Sequence, residues 1–210
     1  GSMLTPIGNP QNLYLYSVSG ISLGAFLAVT LPYTVLSGVL LALSVFLCYR
    51  GTPVAAGDTG GEAEPLDRRR LLGWLVLFAV CLLEVLGVVP AEVMLAVILA
   101  AVLVVNRKLL LRVDYSLLAT FVCLFVFIGN MKRFPAFHSL VAQVLEGHVR
   151  LASVGISQII SNVPAALLLS GFTDAWEDLL VGTNIGGLGT LIASMASLIS
   201  YKFFARRYPA

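Results

Sequence analysis

The side chains best able to bind a ligand lie near the C-terminus, in an otherwise apolar stretch. Residues 181–200 contain four glycines between Gly182 and Gly189. The amide and hydroxyl groups of the same stretch include Thr183, Asn184, Thr190 and Ser194, and Gly186 lies among them. Glycine costs about 1 kcal/mol against alanine inside a helix, and unwound backbone in a membrane must be buried in protein or line a cavity. The pattern favours a broken helix whose freed N–H and C=O groups face a polar ligand.

Close packing of two helices through small residues is the alternative interpretation of this stretch. Packing alone explains the glycines, but it does not explain the clustered asparagine and threonine residues. Buried amides and hydroxyls need partners, and a bound ligand would supply them. The broken helix is therefore the favoured prediction.

A second polar interruption occurs in the apolar run from Leu151 to Phe172. Ser157 and Gln158 come first, followed by Ser161, Asn162 and Pro164. The proline removes a backbone donor and frees an upstream carbonyl. A re-entrant hairpin with its tip at residues 161–164 fits this pattern better than a simple span.

The start of the chain is a weak copy of the C-terminal stretch. When residues 1–13 are placed over 186–198, Thr5 falls on Thr190, Asn9 on Ser194 and Asn12 on Ser197. Paired interrupted apolar segments indicate a transporter site between two repeats. Because a long segment precedes only the second copy, the N-terminal half of a larger transporter is expected to be missing. The first three residues, Gly1–Met3, are either native or left from an expression tag.

Composition identifies the class of protein. Hydrophobic residues make up 59% of the chain and charged residues 11%, whereas a soluble domain has about 45–50% and about 25%. The mean hydropathy is +0.95. We therefore expect an all-α polytopic membrane protein in contact with lipid, located in the cell membrane. The net charge of +2 comes without a basic stripe, so nucleic acid is not an expected partner. Cys48, Cys81 and Cys123 are too scattered to form a disulfide framework or a zinc site.

The hydrophobic runs predict a series of helices with two basic loops between them. The predicted segments are a half-helix at 13–20, an interfacial helix at 21–31, spans at 33–49, 71–89, 90–105 and 115–130, an interfacial helix at 134–148, the hairpin at 151–172 and the broken span at 179–204. Arg50, Arg68 and Arg107 are predicted to be cytoplasmic by the positive-inside rule. The helices that follow the two motif copies then run in opposite directions, which predicts an inverted repeat.

These segments suggest four parts of the chain. Residues 1–20 would end a first repeat, with an unwound motif and a half-helix. Residues 21–50 would form the interfacial helix and a connecting span, and 51–70 a flexible cytoplasmic loop. Residues 71–210 would form a complete second transport repeat.

The motifs resemble those of a known group of transporters. Ser161–Pro164 followed by Gly182–Ser194 resembles the citrate-transporter-like members of the ion transporter superfamily, and Leu4–Asn12 is similar to the matching motif of their first repeat. The group includes citrate and dicarboxylate symporters, arsenite permeases and sodium/proton antiporters. The resemblance covers essentially the whole chain.

The resemblance implies that the hairpin tip and the broken helix together hold a cation and an oxyanion. The implied site residues are Ser161, Asn162, Pro164, Thr183, Asn184, Gly186, Thr190 and Ser194, with Thr5, Asn9 and Asn12 from the first repeat. A sodium ion at Asn162 and Asn184 is the one bound ion expected, without any other cofactor. Each amide would have the ligand as its partner, the alternative being that it caps a half-helix. The hairpin tip of the first repeat is absent from this chain, so half of the expected site is unaccounted for.

The favoured function is secondary transport of a small anion, a carboxylate such as citrate or a dicarboxylate, by symport with a cation. A sodium/proton antiporter, an arsenite-type exporter and a membrane scaffold without transport are the alternatives. Antiport needs a titratable group at the midplane, and the two motif stretches contain none. An enzyme is not expected, because no nucleophile–base pair is evident. A second copy of the chain, forming a homodimer, is a further candidate partner.

Overall fold

The structure is a computed structural model that describes residues 2–48, 67–131 and 133–207. None of the described residues forms a β-strand, which agrees with the expected all-α fold. The α-helices are α1 (Pro10–Ser19), α2 (Leu23–Cys48), α3 (Arg68–Val85), α4 (Ala91–Asn106), α5 (Tyr115–Met131), α6 (Pro135–Leu145), α7 (Val149–Ile160), α8 (Asn162–Leu169), α9 (Trp176–Gly186) and α10 (Met195–Arg207). Short 3-10 helices occur at Pro6–Gly8 and Arg107–Arg112.

Helix α2 is continuous where the sequence predicts a break. Its 26 residues give a length of about 39 Å, enough to cross a membrane. The prediction of an interfacial helix at 21–31 ending at Pro32, with a separate span after it, is wrong. Pro32 removes one backbone donor, and membrane helices tolerate such a proline because nearby groups satisfy the freed backbone. Thr30 and Thr34 donate hydroxyl hydrogen bonds to backbone oxygens around this turn.

The chain groups into two compact units, Gly1–Ser37 with Asp114–Ala210, and Gly38–Val113. In the second unit, α3 and α4 pack as a hairpin whose turn contains Gly87 with a φ of 73°, a value that favours glycine. This confirms the predicted hairpin between 71–89 and 90–105. Helix α3 begins at Arg68, inside the predicted loop at 51–70. Residues 51–66 of that loop, like Arg50, lie outside the described residues.

Within the described ranges, two helices are long and apolar enough to cross a membrane, Leu23–Cys48 and Ala91–Arg112. A third span results if α5 and α6 are counted together, although they meet at 97°. The placement of α5 as a span and of α6 in the interface stays a prediction. Large apolar side chains are exposed along α2 to α5, as expected of lipid-facing helices. The division of the chain into repeats stays a prediction.

The core of the first unit is formed where α1, α7, α8 and α9 pack together. The buried residues of this cluster include Leu15, Ala166, Leu169, Leu179 and Leu180. None of α1, α7, α8 and α9 is long enough to span a bilayer alone. These short helices bring together the two motifs that the sequence singles out.

An ion pair lies at the end of these packed helices that is farther from the motifs. Arg150 at the start of α7 pairs with Asp178 of α9, with 2.7 Å between nitrogen and oxygen. Arg150 also donates to the Tyr33 hydroxyl of α2. Both charged side chains are more than a third exposed, so the ion pair contributes little to stability. It does tie three helices together at that end of the unit.

Candidate functional site

The candidate site begins at Ser161, where the chain breaks between α7 and α8. Ser161 has a φ of 75° and a ψ of 155°, the only positive φ among the described residues other than glycine. Such a conformation costs of order 1–3 kcal/mol and is found most often at functional sites. The break lies within the predicted hairpin tip at residues 161–164, and Pro164 follows in the first turn of α8.

The hairpin tip is bound to the segment that follows α9. The Asn162 backbone N–H donates to the Ala193 carbonyl at 2.9 Å, and the Ser161 hydroxyl donates to the same oxygen at 3.4 Å. Residues 187–194 form turns rather than a helix. The predicted break in the 179–204 span is therefore confirmed, and it lies against the hairpin tip.

Gln158 bridges the break in the α9 to α10 segment. Its side-chain Nε2 donates to the Gly186 carbonyl at 2.6 Å, and its Oε1 accepts from the Thr190 N–H at 2.9 Å. A Cβ on Gly189 would collide with the Gln158 amide. One amide thus takes over a donor and an acceptor that the helix loses where it unwinds.

Asn184 of α9 contacts Asn12 of α1 across the unit. The Asn184 Nδ2 donates to the Asn12 Oδ1 at 2.6 Å and to the Leu180 carbonyl at 2.8 Å. Both asparagines are buried, with exposures of 5% and 0%. The start of the chain and the C-terminal stretch at 181–200, far apart in the sequence, therefore meet through asparagine side chains. The Asn184 Nδ2 bonds to protein atoms rather than to a ligand. For this nitrogen, the structure agrees with the alternative in which the amide has a structural role.

The other side of the Asn12 amide faces a group of backbone oxygens. Its Nδ2 donates to the carbonyls of Ser2, Met3 and Thr5, at 3.2, 3.1 and 3.2 Å. Three carbonyl oxygens therefore converge on the Asn12 nitrogen and hold it in place. Asn9 lies at the edge of this loop, with its Nδ2 donating to the Ser2 hydroxyl at 2.9 Å.

The four glycines of the C-terminal motif divide into two pairs. A Cβ on Gly182 would meet Ser153 at 2.6 Å, and one on Gly186 would meet Ser157 at 2.7 Å, so this pair allows α9 to pack closely on α7. The small-residue packing alternative is therefore correct for these two positions. A Cβ on Gly187 would instead lie 2.7 Å from the Asn162 Nδ2. Gly187 and Gly189 make room for amide side chains.

The two motif copies share one backbone turn and the start of a helix at equivalent positions, although residues 6–8 form a 3-10 helix and residues 191–193 a turn. In the first, Gly8 N–H donates to the Thr5 carbonyl at 3.1 Å, and α1 then begins at Pro10. In the second, Ala193 N–H donates to the Thr190 carbonyl at 3.1 Å, and α10 begins at Met195. The turn and the helix start fall at equivalent positions in the alignment that the sequence suggests.

Three helix ends meet at the level of the asparagines. Asn12 of α1 contacts Asn184 of α9. Leu15 lies one turn after Asn12, and it belongs to the same core cluster as Leu180, which lies one turn before Asn184. Helix α1 therefore runs antiparallel to α9. The start of α8 lies against Gly187 at the end of α9. Two positive helix ends, those of α1 and α8, and one negative end, that of α9, thus share one region.

The predicted site residues differ in their placement. Those gathered at the helix ends are Thr5, Asn9, Asn12, Ser161, Asn162, Pro164, Asn184 and Gly186. Thr183 is buried and donates to the Leu179 carbonyl of its own helix, and its part in a ligand site stays a prediction. Thr190 is exposed and Ser194 half-buried, and Thr190 reaches the site only through its backbone. In the described part of the chain, no group of three or more His, Cys, Asp or Glu could hold a metal ion.

Sequence reasoning missed the role of Gln158 and of the Ser2 and Met3 carbonyls. Gln158 gave a signal, because it interrupts an apolar run one turn before the hairpin tip. The two carbonyls gave no such signal, because every residue has a backbone carbonyl and the residue type does not show which one will bind.

These features define an all-helical membrane protein with a broken helix, a hairpin tip and an N-terminal motif that meet at one polar region. The chain belongs to the citrate transporter family, whose sequence pattern matches residues 1–176. It is 38% identical over 205 residues to the uncharacterized transporter MJ0456 of Methanocaldococcus jannaschii, covering 96% of this chain and 54% of that protein. It is 32% identical over 213 residues to the inner membrane protein YbiR of Escherichia coli, covering 96% of this chain and 55% of that protein. The chain thus spans about half the length of these relatives. No solved structure matches it.

Proposed function

We propose that the transporter containing this chain moves a small carboxylate anion, such as citrate or a dicarboxylate, together with a cation. The observation that carries the proposal is the buried Asn12–Asn184 contact at 2.6 Å, at the level where α1 and α8 begin and α9 ends. Membership of the citrate transporter family supports a secondary transporter. The anion and the coupling cation are the proposed parts.

The starts of α1 and α8 are the proposed anion-binding groups. A helix N-terminus carries about half a positive charge and directs N–H groups at a ligand. Broken helices in transporters use such ends to bind anionic substrates near the membrane midplane. Two of these ends in one region suit a substrate with more than one carboxylate.

Sodium is the proposed coupling cation, held by oxygens of Asn162, Asn184 and nearby carbonyls. Asn184 uses its nitrogen for protein hydrogen bonds, which directs its Oδ1 elsewhere. Beside Gly187, the Asn162 side chain presents its Nδ2 next to the Asn184 backbone oxygen, and its Oδ1 lies 3.5 Å from the Ser161 hydroxyl. Hard oxygen ligands of this kind suit a hard cation such as sodium.

A first repeat is proposed as the partner that completes the site, with an opposite orientation in the cell membrane. The relatives are about twice as long as the matched region, which supports a larger transporter. We therefore expect the purified 210-residue chain to show no substrate uptake by itself. Robust uptake by that chain as a monomer would contradict this part of the proposal, whereas uptake by a homodimer would show that two copies rebuild the site.

Uptake by proteoliposomes tests the function. The complete transporter is reconstituted and supplied with radiolabelled citrate or succinate, with a sodium gradient or with potassium in its place. We expect sodium-dependent uptake of at least one anion and none in protein-free vesicles. Sodium flux driven by a pH gradient without any anion would instead indicate an antiporter, and arsenite efflux without carboxylate uptake an arsenite-type exporter. Either outcome would overturn the proposal.

A further inference from the structure

Gln11 is a buried amide without a hydrogen-bond partner among the described residues. Its side chain is 1% exposed, and neither its Oε1 nor its Nε2 has a partner in that part of the protein. Its neighbour Asn12, by contrast, uses both amide atoms. An unpaired buried amide is costly, so a protein keeps one where something else pairs with it.

The position of Gln11 is fixed by the residues that share its face of α1. Gln11, Asn12 and Leu15 are the buried residues of this helix. Leu15 belongs to the core cluster with Ala166 and Leu180. Gln11 lies one turn before Leu15, towards the end of α9 and the start of α8. It therefore occupies the same level as the asparagine contact.

The second motif copy shows that the fold has no need of an amide at this position. Ala196 is the equivalent of Gln11 when Thr5 is placed over Thr190. The preceding turn and the helix start are the same in both copies. A glutamine is therefore not required for this turn-and-helix structure.

We propose that Gln11 is a substrate-binding residue that recognises a hydroxycarboxylate. The Nε2 donates to a carboxylate oxygen, and the Oε1 accepts from the hydroxyl of the same anion. A carboxylate alone would leave the acceptor unpaired, whereas a hydroxyl beside it satisfies both atoms. A cation at Oε1 is disfavoured, because Gln11 is the second residue of α1 and lies at the positive helix end. This inference rests on the proposed function and extends it to one substrate class.

The test compares two anions that differ only in the hydroxyl, citrate and tricarballylate. The complete transporter is purified in detergent as wild type, Gln11→Leu and Gln11→Met, and thermal unfolding is followed with each anion in the presence of sodium. Gln143→Leu is the control, because Gln143 is an exposed amide on α6. We expect the unliganded melting temperature of both Gln11 variants to equal or exceed that of the wild type, since the substitutions remove an unpaired buried amide.

The change in anion affinity decides whether Gln11 is a substrate-binding residue. We expect citrate affinity to fall about tenfold or more in both Gln11 variants, and the wild type's preference for citrate over tricarballylate to disappear. Gln143→Leu should keep the wild-type response. A lowered unliganded melting temperature in both Gln11 variants would indicate a structural role and overturn the assignment, as would unchanged citrate affinity. A wild type that responds to neither anion would also overturn this inference, and the proposed function would then be decided by the succinate uptake experiment. A responding wild type matched by its Gln11 variants would contradict this inference alone.

Discussion

Asn12 and Asn184 form a buried hydrogen bond of 2.6 Å that joins the start of the chain to the C-terminal stretch at 181–200. Each asparagine also bonds to backbone carbonyls, Asn12 in the N-terminal loop and Asn184 in its own helix. The pair therefore fixes the loop before α1 against the end of α9. Any movement of one motif relative to the other must break or shift this contact, because an amide pair at this distance has little tolerance.

Removal of either asparagine should destabilise the fold, and the two losses should not add. We expect Asn12→Ala and Asn184→Ala each to lower the free energy of unfolding by about 1–3 kcal/mol. The double variant should lose less than the sum, with a coupling of about 0.5–3 kcal/mol. Equilibrium unfolding in detergent measures the cycle. Asn130→Ala is the matched control, because Asn130 is exposed and bonds only to its own helix. Strict additivity would show that the contact contributes nothing.

Gly187 should be intolerant of a side chain because of Asn162. A Cβ there would lie 2.7 Å from the Asn162 Nδ2, so the amide must move away from the end of α9. We expect Gly187→Ala to reduce sodium-dependent thermal stabilisation severalfold, since a ligand stabilises the folded state in proportion to its affinity. Gly24→Ala is the control, as a Cβ at Gly24 meets nothing within 4 Å. It should raise stability by about 0.5–1 kcal/mol. A wild-type sodium response in Gly187→Ala would remove Asn162 from the cation site.

Much of this architecture follows from residue types and spacing. The break at Ser161 and the unwound segment after Gly186 are both predicted, because polar and helix-breaking residues interrupt an apolar run that would otherwise form one continuous helix. The hairpin turn at Gly87 is predicted for the same reason, from Gly87 and Pro90 between two apolar runs. The two aligned segments share a turn and a helix start at equivalent positions, and the repeat itself stays a prediction.

Other features could not be predicted, for physical reasons. Pro32 suggests a helix end, yet a proline removes one hydrogen bond and the apolar helix continues through it. The pairing of Asn12 with Asn184 depends on how α1 packs on α9, which residue types do not specify. Gly182 and Gly187 look alike in the sequence, but one faces a helix and the other an amide. Gln11 gave no signal, because only packing reveals that its amide is buried and unpaired.

The orientation of the α3–α4 hairpin gives a prediction of topology. Basic residues lie at Arg69 and Lys108, and Val88 lies in the turn at the opposite end of the hairpin. We expect the basic ends to be cytoplasmic. In a variant with Cys48, Cys81 and Cys123 replaced by serine, cysteines at Val88 and at Lys108 should react with an impermeant thiol reagent from opposite sides of the membrane. Labelling of both from one side would show that the predicted topology is wrong.

The backbone of Ser161 provides the last prediction. Its φ of 75° with a ψ of 155° lies in a region that glycine adopts far more easily than other residues. Ser161→Gly and Ser161→Ala both remove the hydroxyl and its long bond to Ala193. They therefore differ only in the Cβ, which strains the folded backbone at this φ but also lowers the entropy of the unfolded chain. We expect Ser161→Gly to be more stable than Ser161→Ala by about 1 kcal/mol in equilibrium unfolding.

The two variants also separate strain from binding. If the hydroxyl contributes to the cation or anion site, both variants should lose ligand-dependent stabilisation equally, whatever their difference in unfolding free energy. Ser170→Ala is the control, because Ser170 is a half-buried serine at the far end of α8 that bonds to Tyr14 and the Leu167 carbonyl. It should leave the ligand response unchanged. Equal stability of the glycine and alanine variants would show that strain at the break does not exceed the entropy that glycine gains in the unfolded chain, and a normal ligand response in both would exclude the Ser161 hydroxyl from the site.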